Sequence, residues 1–217
     1  MEEEHFEIIG GADGPTSIFI GDKSKKPPLS QRIQSFFHKR KRHLIEKRIK
    51  PGAHSLEEVE EYIKSKYGFV EVDKNEPEYI TEYEETRRSF LFQYRPNLIQ
   101  GQDVDFEFDM TGSEEDILAG INARMKKEKE IANSVSREVF DIDYHKYVKK
   151  DESTGDSMDV LIEKNYDYLA CGAQGSKRYM KMFKKISEDI YKYYGVSEED
   201  IQNKTERYKN LVIELSR

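Results

Sequence analysis

Three serine-led capping boxes limit what this chain can fold into. Ser55 with Glu58, Ser113 with Asp116 and Ser197 with Asp200 each set a hydroxyl and an acid three residues apart, so that each satisfies one end of a first helical turn. They predict helices over residues 55–67, 113–134 and 197–215. Segments of strand character fall between them, at 68–72 (GFVEV), 89–95 (SFLFQYR) and 104–109 (VDFEFD). The last has the cleanest alternation, Val104, Phe106 and Phe108 against Asp105, Glu107 and Asp109, as expected for a strand with one wet face. Residues 139–148 also allow a strand, through Ile142 and Tyr144. With an N-terminal hairpin before them and a helical C-terminal segment after them, these elements are read as α+β.

Both ends fit that reading. Residues 6–20 are apolar around Asp13-Gly14-Pro15 and predict a β-hairpin, with a strand running into a short helix as the alternative. Residues 22–30 carry Pro27-Pro28 and read as an exposed linker. Residues 30–49 read as a helix that Pro51-Gly52 ends. From 157 onward the pattern reads as helical throughout. Met158, Ile162, Tyr166 and Leu169 form one stripe, and Tyr179, Phe183, Ile186, Ile190 and Tyr193 form a second at steps of 4, 3, 4 and 3. The expected organisation is an apolar hairpin over 1–21, a basic linker and amphipathic helix over 22–50, a small central sheet with helices over 51–150, and a helical C-terminal segment over 151–217.

Charge points to a docking role. Of the 217 residues 36% are charged, against about 25% in ordinary domains. Residues 22–50 hold eleven Lys and Arg against Asp22 and Glu46, a surplus of nine, so the net charge of −7 leaves −16 on the rest. A basic arm on an acidic body binds an anionic partner or folds back on that body. Lys39, Arg40, Lys41 and Arg42 supply the charge, and Phe36 and Phe37 supply a paired aromatic that stacks on bases or dips into lipid. The expected partner is a protein, with an anionic surface or nucleic acid as alternatives at residues 32–50. No window approaches 18 apolar residues, so no transmembrane insertion is expected. The acidic start MEEEHFEIIGG and the single Cys171 suit a cytoplasmic chain without disulfides.

The sharpest motif is Ile8-Ile9-Gly10-Gly11-Ala12-Asp13-Gly14-Pro15-Thr16-Ser17-Ile18. It resembles the IIGGADGPT signature of the β subunit of sodium-translocating decarboxylases, the membrane carrier of the oxaloacetate, methylmalonyl-CoA and glutaconyl-CoA pumps. The resemblance covers about a twentieth of the chain, and the membrane spans of that family have no counterpart in the sequence. It implies a sodium ion held by Asp13, with Gly10, Gly11, Gly14 and Pro15 shaping the backbone and Thr16 adding a hydroxyl oxygen. Without the resemblance no cofactor is expected, and the motif reads as a tight turn that serves structure or docking.

Other constellations are thin. The five histidines show no metal-ligand spacing, and Asp151-Glu152-Ser153-Thr154-Gly155-Asp156 reads as a surface turn rather than a calcium loop. Cys171 reads as a packed small residue, and Gly172 to Lys177 as a link between two helices. Fourteen tyrosines and no tryptophan leave tyrosine to supply core or interface area. No nucleophile, base and orienter assemble. The chain is therefore expected to be a non-enzymatic interaction or regulatory protein docking through its basic arm or GGADGPT turn, with a sodium-linked role at Asp13 as the alternative.

Overall fold

The computed structural model describes residues 4–11, 14–22, 39–101 and 113–216, and for 4–22 the backbone alone. The fold is α+β. The chain divides into two compact units, one of Met1–Lys26 with Asn75–Ile142 and one of Pro27–Lys74 with Asp143–Arg217.

In the first unit, β1 (Glu4–Gly11) pairs antiparallel with β2 (Gly14–Asp22) as the hairpin reading expected. Ile8 lies opposite Ile18, and the register shifts between Ile9 and Gly10 so that Gly10 meets Pro15 and Gly11 meets Gly14. A proline cannot donate to the ladder, and an irregularity beside it is the ordinary accommodation. The predicted strand at 104–109 lies outside the described residues. The predicted strand at 89–95 is instead the last part of a long helix, α3 (Pro77–Tyr94). Pro77 sits in its first turn, where a missing N–H costs nothing. Tyr79, Arg87, Phe90 and Leu91 are its buried positions. The local alternation of Phe90, Phe92 and Tyr94 conceals an i, i+4 pair, whose rings lie 5.2 Å apart. A short 3-10 turn, Pro96–Ile99, follows. Helix α4 (Glu114–Ser134) starts from the Ser113–Asp116 capping box.

The second unit is a four-stranded antiparallel meander with helices on one face. In chain order it holds α1 (residues 39–46), α2 (Leu56–Tyr62, prolonged by a π turn Ile63–Tyr67), β3 (Val70–Glu71), β4 (Tyr144–Lys150), β5 (Ser157–Glu163), β6 (Tyr168–Gln174), α5 (Lys177–Tyr194), α6 (Glu198–Asn203) and α7 (Glu206–Ser216). The strand order is β3-β4-β5-β6.

The helical segment expected over 151–217 is thus corrected for 157–174, where two strands stand. Met158 and Ile162 fit a helical stripe, but Val160 between them is just as buried, which is the period of a strand. The hairpin closes through Asp167 in the left-handed region (φ 52°). Its loop is organised by Glu163, a fully buried carboxylate that accepts the backbone N–H groups of Asn165 (3.2 Å), Tyr166 (2.7 Å) and Asp143 (2.8 Å). Residues 172–177, expected to link two helices, are instead the end of β6, the two-residue connection Gly175-Ser176 and the start of α5. Residues 151–156 form the expected turn, where Asp151 accepts from the Ser153 N–H (3.0 Å) and hydroxyl (2.6 Å).

Tyr147, Met158, Val160, Ile162 and Leu169 of the sheet pack against Leu56, Val59 and Ile63 of α2, Ile186 and Ile190 of α5, and Leu211 and Val212 of α7. Half-buried Cys171 packs against this core, as a small residue should. Tyrosine serves the core by keeping its hydroxyl bonded at the edge. Tyr191 donates to the Leu169 carbonyl and Tyr194 to the Asp167 carbonyl, each at 2.8 Å. The helix predicted over 197–215 is two helices, because Lys204 takes a left-handed conformation (φ 52°) that ends α6.

Candidate functional site

Lys39, Arg40, Lys41 and Arg42 stand on the exposed α1, while Phe36 and Phe37 lie outside the described residues. The arm is anchored to its own unit. Lys41 Nζ donates to the Ser216 carbonyl at the end of α7 (2.7 Å), where a helix offers orphan carbonyls and a partial negative charge. Arg42 faces Glu46 at 3.6 Å, one turn along.

Helices α5 and α7 run antiparallel, since Ser187 donates to Glu214 and Arg207 donates to the Gly195 carbonyl. The end of α7, where Lys41 docks, therefore comes level with about Lys184 on α5. This half of α5 carries a second set of cations that sequence reading passed over. Lys177, Arg178, Lys181, Lys184 and Lys185 are all exposed, with no acid between 177 and 187. Their signal was the complement of the 179–193 stripe. Once Tyr179, Phe183, Ile186 and Ile190 face inward, the opposite face of the first three turns is basic throughout. Met180 and Met182, 39% and 43% exposed, border it on either side.

Such an assembly opposes folding. Like charges three or four residues apart on a helix destabilise it by about 0.2–0.5 kcal/mol per pair. Cations in a first turn also oppose the helix dipole, and α5 has no acid there to offset them.

A second cluster joins α2 to α5. Asp189 Oδ2 accepts from Tyr62 (2.5 Å), Tyr67 (2.7 Å) and Lys66 (2.8 Å). The Tyr62 ring stacks on Tyr193 (3.8 Å), which stacks on His54 (4.0 Å), and His54 Nδ1 donates to the Tyr193 carbonyl (2.6 Å). Partial burial works against the Asp189 charge, but the bonds from Lys66, Tyr62 and Tyr67 outweigh it and hold its carboxyl at about 2. Burial and the same aspartate push both tyrosine hydroxyls up. With the Asp189 carboxyl held low and the Tyr62 and Tyr67 hydroxyls pushed up, this bonded group serves as a brace between α2 and α5 rather than as an acid–base pair.

Asp189→Asn is expected to weaken that brace and flatten the acid limb of the stability curve. The folded pKa lies below the unfolded value of about 3.9, so the contribution is complete above that pH and disappears as pH falls towards 2. Urea melts of both proteins between pH 2 and 6 check this, and parallel curves would contradict it.

His145 lies between Glu71 (2.7 Å) and Asp143 (3.2 Å) and ties the short edge strand β3 to β4. Among the described residues no group of three or more His, Cys, Asp and Glu is able to hold a metal ion. In the motif, Gly10, Gly11, Gly14, Pro15 and Thr16 fall on the paired strands, whereas Asp13 lies outside the described residues. No described helix is long and apolar enough to cross a membrane. No protein-family model, curated protein or solved structure significantly matches this chain.

Proposed function

We propose that this chain is a non-enzymatic interaction protein whose second unit docks an anionic partner across the joined basic faces of α1 and α5. One observation carries the reading. Lys39, Arg40 and Arg42 stand on a helix that Lys41 bonds to the end of α7, at the level along α5 of five exposed cations from a segment about 140 residues away. Two basic runs brought together at an energetic cost are best accounted for by a partner that neutralises both.

The test is binding of a fluorescent polyglutamate to the full chain across a salt series. The triple variant Lys181→Glu, Lys184→Glu, Lys185→Glu is expected to bind at least tenfold more weakly and with a flatter salt dependence, and Arg40→Glu with Arg42→Glu to do the same in smaller measure. Polyglutamate that ignores the unaltered protein, or binds these variants equally well, overturns the reading.

A further inference from the structure

Beside the basic surface, α1, α5 and α7 enclose a trench of about 440 Å³. This lies within the range of roughly 300–1,000 Å³ typical of ligand pockets. Its walls are aliphatic, from Ile45 and Ile49 on one side and Leu211 and Leu215 on the other. Ile49 and Leu215 lie at the border of the core, half-buried, so the trench is a continuation of the core that the described residues leave open. Its rim is cationic. Arg48 and Lys50 are exposed, and Lys192 stands on α5 with Glu188 as the one acid, 3.6 Å away.

Resting on the polyanion-docking reading, we infer that the partner is an acidic protein segment that inserts an aliphatic or aromatic side chain into this trench. Its carboxylates then lie on the flanking cations. A nucleic acid would lay its phosphates on the Lys and Arg heads, but its flat, polar-edged bases match the aliphatic walls of Ile45 and Leu215 less well than a branched apolar side chain does. An acidic amphipathic peptide uses both, in the manner of a helix laid in a groove. The basic faces also run well beyond the trench along α1 and the first half of α5, farther than a small carboxylate spans. Charge complementarity and apolar floor therefore select one class of occupant.

The experiment uses the full chain and three labelled probes of equal net charge, read by fluorescence anisotropy at one ionic strength. They are a glutamate-rich peptide with leucine anchors, the same peptide with each leucine replaced by serine, and a single-stranded oligonucleotide. The leucine peptide is expected to bind at least tenfold tighter than the serine peptide, about what burial of one aliphatic side chain supplies. Leu215→Trp fills the trench from α7 and is expected to erase that difference while leaving serine-peptide binding unchanged. Ile45→Trp fills it from α1 and repeats the test if Leu215→Trp fails to fold. Equal binding of the two peptides, or a preference for the oligonucleotide, overturns the inference and leaves polyanion docking standing. Failure of all three probes to bind overturns both.

Discussion

Gly195→Ala is expected to destabilise the second unit by about 4 kcal/mol or more, a large part of a typical domain stability of roughly 5–15 kcal/mol. Gly195 follows α5 with φ 59° and ψ −161°, a region that only glycine enters without strain. The chain there lies against residues 52–54. The Gly52 N–H donates to the Val196 carbonyl (2.8 Å) and the His54 N–H to the Tyr194 carbonyl (3.0 Å). A Cβ on Gly195 would stand 1.9 Å from the Gly52 carbonyl oxygen, which is backbone and has no rotamer to yield. Either both hydrogen bonds break, at about 1 kcal/mol each, or the segment moves away from Arg207. Arg207 donates to the carbonyls of Gly195 (2.9 Å), His54 (2.7 Å) and Tyr194 (2.5 Å), so that movement exposes or orphans three acceptors. A urea melt of the alanine variant is the measurement, and a midpoint within error of the unaltered protein would show that the turn relaxes freely.

Where sequence and structure agree, the signal was local. All three serine capping boxes are present with both hydrogen bonds, because a box is completed within four residues. The stripe Tyr179, Phe183, Ile186, Ile190 is α5 because about three unbroken turns of helical period admit no strand. The departures share the opposite property. At 89–95 a short alternation suggested a strand, yet the helix had begun twelve residues earlier at Pro77 and its buried stripe runs straight through. At 157–169 the positions 158, 162, 166 and 169 mimic a helix, and only pairing with β4 and β6 decides for a sheet. Tertiary context overrides a short pattern in both cases.

The basic surface divides in the same way. Lys39 to Arg42 were visible as a run. The α5 cations are diluted by Tyr179, Met180, Met182 and Phe183, so they form a face only after the helix is oriented by its core. That α1 would be fastened to the end of α7 shows in the bond from Lys41 to Ser216, 175 residues apart. The same device recurs at other helix ends, where a cation from a distant element satisfies terminal carbonyls. Arg207 does so after α5 and Arg87 does so after α4. Such partners leave no spacing to read, since their separation is set by the fold.

Arg87→Met tests that device in the first unit, and its expected cost is about 3–5 kcal/mol. Arg87 is 3% exposed on α3. Its guanidinium reaches the last carbonyls of α4, Ala132 (3.4 Å) and Val135 (2.5 Å), and also Phe140 (2.9 Å). Glu84 stands 3.9 Å away, so the buried charge is partly balanced within its own helix. Methionine keeps most of the aliphatic stem and fits the space with little strain. What it removes is the guanidinium donors to these carbonyls; Ala132 keeps the Val135 N–H (3.2 Å), and each buried acceptor that loses its partner costs roughly 1–3 kcal/mol. Hydrogen exchange followed by mass spectrometry locates the effect. Protection is expected to fall across α3 and α4 while β4, β5, β6 and α5 keep theirs, because the two units have separate cores. Unchanged protection in α4 would mean that its end needs no cation. Equal loss in both units would mean that they fold as one.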